Sequence, residues 1–410
     1  MKLKSLITHA SLLLILLLAI TPLGEPINWS ESNATRLTDY YGFDLAPSVA
    51  ALKDGTTWVL WQSDQFDIYC DIWYRIYNGT YWSSAKQLIT SLGADVQPFI
   101  TQISDGSIWV VWSSDRTSNY DIFCQTSTDN GKSWSTPKQL TTNPARDINP
   151  YLAQLKDGSI WVVWSSNRTG NLDIFYKSSV DKGANWSTET QLTTSTHNDK
   201  VPSIAEASDG SVWIVWGGDP AGTGNYDIYA KISKDKGKTW SSLKQLTINF
   251  RNDLWPTILQ ASDGGIRLFW QSDRRDYRGV PQSDLYYKTS YDNGLTWSND
   301  TQLTADVKDD EMPRATQIRW GEIGLVWVSN RYDNWDIFYG TITYRDAAVI
   351  HVAQSSILGR PVYEGETITI NVTLQNQGIQ EENLLASTHY SLGIIGYQST
   401  AIKPGNSKTL

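Results

Sequence analysis

Three arginines and a tyrosine crowd one short stretch, "SDRRDYRGVPQSD" at 272–284: Arg274, Arg275, Tyr277 and Arg278. Guanidinium forks and an aromatic face can hold a carboxylate, a sulfate or a sugar, so this segment is the first candidate ligand site. A solvated loop insertion would carry the same residues. Arg146 and Arg251 lie in polar segments of a related kind and join the candidates. The second set is acidic. The tetrapeptide D-x-x-P recurs with Asp44, Asp95, Asp147, Asp199, Asp253 and Asp310. A ring of carboxylates suits a hard cation or a cationic ligand. Each Asp also caps its own turn, and sixfold repetition favours that structural role. The third motif is an octapeptide, "STDNGKSW" (Asp129, Gly131, Trp134), "SVDKGANW" (Asp181, Gly183, Trp186), "SKDKGKTW" (Asp235, Gly237, Trp240) and "SYDNGLTW" (Asp292, Gly294, Trp297), with "YNGTYW" at 77–82 as a shortened form. Its Asp accepts from the amides of its own turn, its Gly permits a positive φ, and its Trp anchors the turn. A group repeated in every unit is structural; a catalytic group breaks the symmetry.

The elements that carry these residues follow from the repeat. The D-x-x-P motifs recur every 51 to 57 residues. Each unit runs through a short apolar segment, a "DG" turn and an aromatic strand such as "IWVVW". A polar loop, D-[IL]-[FYW], the octapeptide and a last strand around "QLT" complete it. Four strands in about fifty residues make a propeller blade. Trp161 and Trp164 are three apart and point to opposite faces of a strand, which suits a sheet buried between two neighbours. The sixth unit ends at 344 without an octapeptide or "QLT" strand, and "WSESNATRLT" at 29–38 has the form of that missing tail. Leu37 precedes Asp44 by the seven residues that separate Leu140 from Asp147 in a complete unit. The expectation is an all-β chain, a six-bladed β-propeller over 29–344 closed by an N-terminal strand, with the six D-x-x-P aspartates ringing the mouth of its central channel.

Composition narrows the function. Twenty Trp and twenty-one Tyr suit β structure, and 19% charged residues argue against a disordered chain. A net charge of −9 argues against a nucleic-acid partner. Residues 1–24 have a signal peptide's layout, with Lys2 and Lys4 before an apolar run that is short for a membrane span. Apart from that leader, if it stays uncleaved as an anchor, no transmembrane helix is expected, and the protein is read as secreted or cell-surface. Seven N-x-[ST] sequons suit an exterior protein, weakly. Cys70 and Cys124 permit one disulfide, and two buried thiols fit equally well. Four scattered His give no metal-type spacing. No metal set and no cofactor are assigned, a structural divalent cation at the acidic ring being the one option left open.

On its octapeptides, the region 29–344 resembles the sialidase/Asp-box (BNR repeat) superfamily. Loops such as "SSDRTSNYDIF" and "SSNRTGNLDIF" also resemble TolB-type propeller repeats. The resemblance implies a ligand face built from the D-x-x-P loops and the second-to-third-strand loops, with the Asp boxes on the opposite face. It also implies an arginine triad, a Tyr–Glu nucleophile pair and an Asp acid/base. The chain departs from that pattern: "FDLAP" at 43–47 stands where an F/Y-R-I-P motif would, and Arg314 follows its proline in "EMPRAT". Catalytic residues are therefore unassigned. Without the carboxylate clamp an anionic sugar is neither oriented nor neutralised. Residues 346–410, with "YEGETITINVTLQNQG" and "IKPGNSKTL", resemble the CARDB family of Ig-like β-sandwiches, incomplete here, as expected of a fragment of a longer protein. The expected function is non-catalytic binding of a glycan, peptide or envelope component. The alternative is a sialidase-type exo-glycoside hydrolase with a divergent site.

Overall fold

The computed structural model describes residues 29–65, 69–277, 280–319 and 321–343, together with the strand backbones within 347–354, 370–376, 382–390, 393–402 and 407–409. The proposed leader at 1–24 and Arg278 lie outside the described residues, and of Tyr277 only the backbone is described. Asn28–Thr343 form one compact unit, and Tyr344–Leu410 belong to another.

The first unit is a six-bladed propeller of four-stranded antiparallel sheets. Blade 2 shows the pattern: Asp95–Gln102, Ile108–Ser114, Asp121–Ser127 and Lys138–Gln139. Its second strand, "IWVVWSS", is buried at every position, because the blade is covered on both faces and cannot alternate apolar with polar. Blade 6 consists of Asp310–Arg319, Glu322–Ser329 and Asp336–Thr343, and its fourth strand is Thr35–Arg36, with Thr35 opposite Tyr339 and Arg36 opposite Phe338. Leu37 N donates to Ile337 O at 2.7 Å, and Arg36 pairs with Asp336 at 2.7 Å.

The octapeptides act between blades. Ser127 Oγ donates to Asp129 and accepts from Gly131 N, and Ser133 N donates to Asp129 at 2.9 Å. The Ser133 hydroxyl, its amide and the Ser127 hydroxyl together hold the half-buried Asp129 carboxyl down at about 2. Gly131 sits at φ +79° directly over Trp58 of the preceding blade, where a Cβ would come within 2.3 Å of the indole. Gly183 covers Trp109, Gly237 covers Trp161 and Gly294 covers Trp213 in the same way. Blade 6 has no octapeptide, and at the matching position blade 5 carries Arg267 instead of Trp, ion-paired with Asp263. A second link runs beside the first. Gln102, Gln154, Gln260 and Gln317, with Glu206 in blade 4, accept a backbone N–H from the hairpin of the preceding blade. Blade 1 has Ala51 at this place, so the seam between blades 6 and 1 lacks the link. A cleft of about 590 Å³ opens there, lined by Tyr77, Trp82, Arg319 and Glu322.

The second unit contains an antiparallel sheet of Ala347–Gln354, Ile370–Asn376 and Ser407–Thr409, and a hairpin of Glu382–Tyr390 with Gly393–Ile402. Among the described residues no helix is long and apolar enough to cross a membrane.

Candidate functional site

The D-x-x-P motif turns out to be a bulge. In all six inner strands the register shifts after the second residue, as between Val96 and Phe99. The third residue adopts a left-handed conformation: Ala46, Gln97, Asn149, Val201, Trp255 and Met312 have φ between 48° and 56°. For a non-glycine residue this costs of order 1 kcal/mol or more, most for β-branched Val201. The bulge frees the third residue's N–H for the neighbouring blade. Gln97 N donates to Gln62, Asn149 N to Gln97 Oε1, Val201 N to Ser165 and Met312 N to Gln271.

The bulge also decides where the six aspartates go. They were expected to ring the mouth of the channel, but all are at most 3% exposed and turned into the blades. Trp61, Trp112, Trp216 and Trp327 donate their indole N–H to Asp44, Asp95, Asp199 and Asp310. In blades 3 and 5 an arginine fork takes that role: Arg168 binds both oxygens of Asp147, and Arg274 both oxygens of Asp253. Arg116 and Arg331 pair with Asp95 and Asp310. Blades 1 and 4 carry Gln65 and Pro220 at the matching arginine position. Burial pushes the carboxyls of Asp44 and Asp199 up to about 6, and it does the same to Asp310 despite Arg331. Among the described residues no cluster of three or more His, Cys, Asp or Glu could hold a metal ion.

The arginine cluster is likewise committed inward. Arg274 is shared between Asp253 and Asp300, and Arg275 is held by Asp284, whose carboxyl burial pushes up to about 7. "RRDY" (274–277) extends the second strand of blade 5, which pairs with a lengthened third strand in a long hairpin, Ile266–Tyr277 with Val280–Ser290. Arg146 is exposed and lies over Tyr120, and Arg251 is half-buried beside Phe250. These arginines do not converge. Cys70 and Cys124 are free thiols, Cys124 buried and Cys70 half-buried.

Two features missed by the sequence reading stand out. The first is the place of Arg314, which the sequence marked only as a departure from the arginine motif: it lies on the propeller axis among Tyr151, Trp255, Asn149, Gln97 and Met312. It occupies the position held by Ser48, Phe99, Tyr151, Ser203 and Thr257 in the other blades, so a charge at one repeat position was the available signal. The second is a set of exposed apolar side chains on the loops entering the inner strands. Tyr41 is 100% exposed, Leu92 98%, Phe250 79% and Val307 54%, each three residues before its Asp. Phe43, Tyr69 and Tyr332 are exposed on the same face. The Asp-box face exposes Tyr81 and Tyr291 among its aromatics, and Tyr291 donates to Asp263.

Residues 71–266 match the profile described as a BNR repeat-like domain. No curated protein matches the chain. Among solved structures, a Dyadobacter fermentans protein of unknown function aligns at 15% identity and TM-score 0.63, over 76% of this chain and 100% of that one. An α-L-arabinanase of Penicillium chrysogenum aligns at 15% identity and TM-score 0.59, over 76% and 98%. The NanB sialidase of Streptococcus pneumoniae aligns at 12% identity and TM-score 0.58, over 76% and 70%. The propeller thus shares its fold with sialidases and arabinanases.

Proposed function

We propose that the chain is an exported, non-catalytic binding protein that takes a glycan on the D-x-x-P face of its propeller. The observation that carries this reading is the set of exposed aromatics on that face, Tyr41, Phe43, Tyr69, Phe250 and Tyr332. Sugar rings pack their C–H faces on such side chains, and a tyrosine adds a hydroxyl donor. Arg146 and Arg251 lie on the same loops and contribute charge; Arg274 and Arg275 serve the fold through their buried acids. The likeness in fold to an arabinanase and a sialidase supports a carbohydrate as the ligand class. In this reading the N-terminal strand closes the ring, the leader exports the chain, and the C-terminal strands form an Ig-like module that acts as a spacer. Hydrolysis is the alternative. The six repeated acids are buried in hydrogen bonds and ion pairs, which leaves them poorly placed to reach a glycosidic oxygen.

A glycan array with the purified protein tests the proposal, alongside Tyr41→Ala and Phe250→Ala variants. Each substitution is expected to weaken binding by about tenfold, the scale of one lost stacking contact. Unchanged binding would reject the face, and turnover of a fluorogenic glycoside abolished by one substitution there would establish the hydrolase.

A further inference from the structure

Among the described residues, Arg314 has no counter-ion. It is 8% exposed, and burial pulls its guanidinium down to about 10. Only Nη1 donates to a described residue, to the carbonyl oxygens of Pro313 at 3.2 Å and Pro256 at 3.5 Å. Tyr151 and Trp255 stack at 5.8 and 5.4 Å from its central carbon. The other arginines turned into the top of the blades have partners: Arg116, Arg168, Arg274 and Arg331 each have a carboxylate within 3.0 Å. An isolated buried charge costs several kcal/mol unless something neutralises it.

The niche beside Arg314 has the character to do so. Asn149 and Gln97 line it with Arg314, and among the described residues no acidic side chain does. Gln97 Oε1 accepts from Asn149 N and Ser113 Oγ, each at 3.0 Å, which fixes the orientation of its amide. Its Nε2 and Asn149 Nδ2 donate to no described residue. Three donor-bearing side chains therefore line one small space: a guanidinium and two carboxamides. The free volume is about 10 Å³, close to the ~10–15 Å³ that one water-sized occupant requires.

We infer that the propeller axis holds a monovalent halide, chloride under ordinary conditions, bound by Arg314 with Asn149 and Gln97. A carboxylate ligand or a sulfate is too large for the niche. The six strained bulges place these residues at the axis, so the ion also ties blades 2, 3 and 6 together.

Bromide soaked into crystals of the unmodified protein should give an anomalous peak within hydrogen-bonding distance of the Arg314 guanidinium. In solution, the unfolding midpoint should rise by about 2 to 4 °C for each tenfold increase in chloride or bromide above its dissociation constant. Gluconate and sulfate at matched ionic strength should not reproduce the rise. Arg314→Met should lose the halide response; if that variant does not fold, Asn149→Ala should show a reduced one. A bromide-free niche, an equal response to gluconate or sulfate, or a full response in a folded Arg314→Met variant would each overturn the assignment.

Discussion

The contact between each Asp box and the tryptophan of the blade before it can be measured with two glycines. Gly237 and Gly158 share a left-handed backbone, at φ +79° and +88°. A Cβ on Gly158 meets nothing within 4 Å, whereas one on Gly237 lands 2.4 Å from the Trp161 ring. Gly158→Ala therefore reports backbone strain alone, about 1 kcal/mol. Gly237→Ala adds overpacking against a nearly fully buried indole, for a total of about 2–4 kcal/mol. Read as thermal midpoints, the shifts should be about 2–4 °C and 4–16 °C. The decisive arm is a double-mutant cycle. With Trp161 changed to Ala, the obstacle is gone, and Gly237→Ala should cost no more than Gly158→Ala. Equal losses for the two glycines in the unmodified protein, or strict additivity with Trp161→Ala, would refute the inter-blade latch.

Acid titration of unfolding should show two opposed trends. Asp44 and Asp199 have carboxyls raised to about 6 by burial, so the folded state holds protons that the unfolded chain releases, and stability falls as pH rises from about 4 to 6. The four Asp-box carboxyls, held at about 2, act the other way, and their contribution disappears as pH drops from about 4 toward 2. Asp199→Asn should stabilise the protein by roughly 1 kcal/mol at pH 7.5 while keeping Oδ1 for Trp216, and denaturant unfolding at pH 4.5 and 7.5 should show the gain at the higher pH. Arg168→Met, which strips Asp147 of its cation and leaves Glu189 with Lys177 alone, should instead destabilise by roughly 2–4 kcal/mol in the same assay. Leu37 is 1% exposed against blade 6, so Leu37→Ala should cost about 2–4 kcal/mol by the same unfolding measurement, as a core position would. An effect below 0.5 kcal/mol would show that the N-terminal segment contributes little to that blade.

The sequence by itself determined the blade count and the strand order. Both follow from short-range pattern: Asp95 to Pro98, the paired Trp109 and Trp112, and "STDNGKSW" recur at intervals that only stacked four-stranded sheets explain. It also indicated that the octapeptide is structural, because repetition argues against a catalytic role. It did not indicate what lies across a blade interface. Periodicity states which face a side chain takes, but not which neighbour covers it; that Gly131 caps Trp58 of the previous blade required the sheets to be packed. The D-x-x-P aspartates were misplaced for a related reason. A regular strand would have carried them to the channel mouth, while a left-handed residue at the third position turns them into the blade and brings Gln97, Asn149 and Trp255 to the axis. Nothing local announces a positive φ at Val201 or Trp255. Arg274 and Arg275 looked like a ligand clamp because in sequence they have no visible partners. Asp253 and Asp284, the acids that hold them, are 21 and 9 residues away and meet them only across strands. Charge balance is a tertiary property: among the described residues it showed these arginines to be paired, and Arg314 to be a buried cation without an acidic partner.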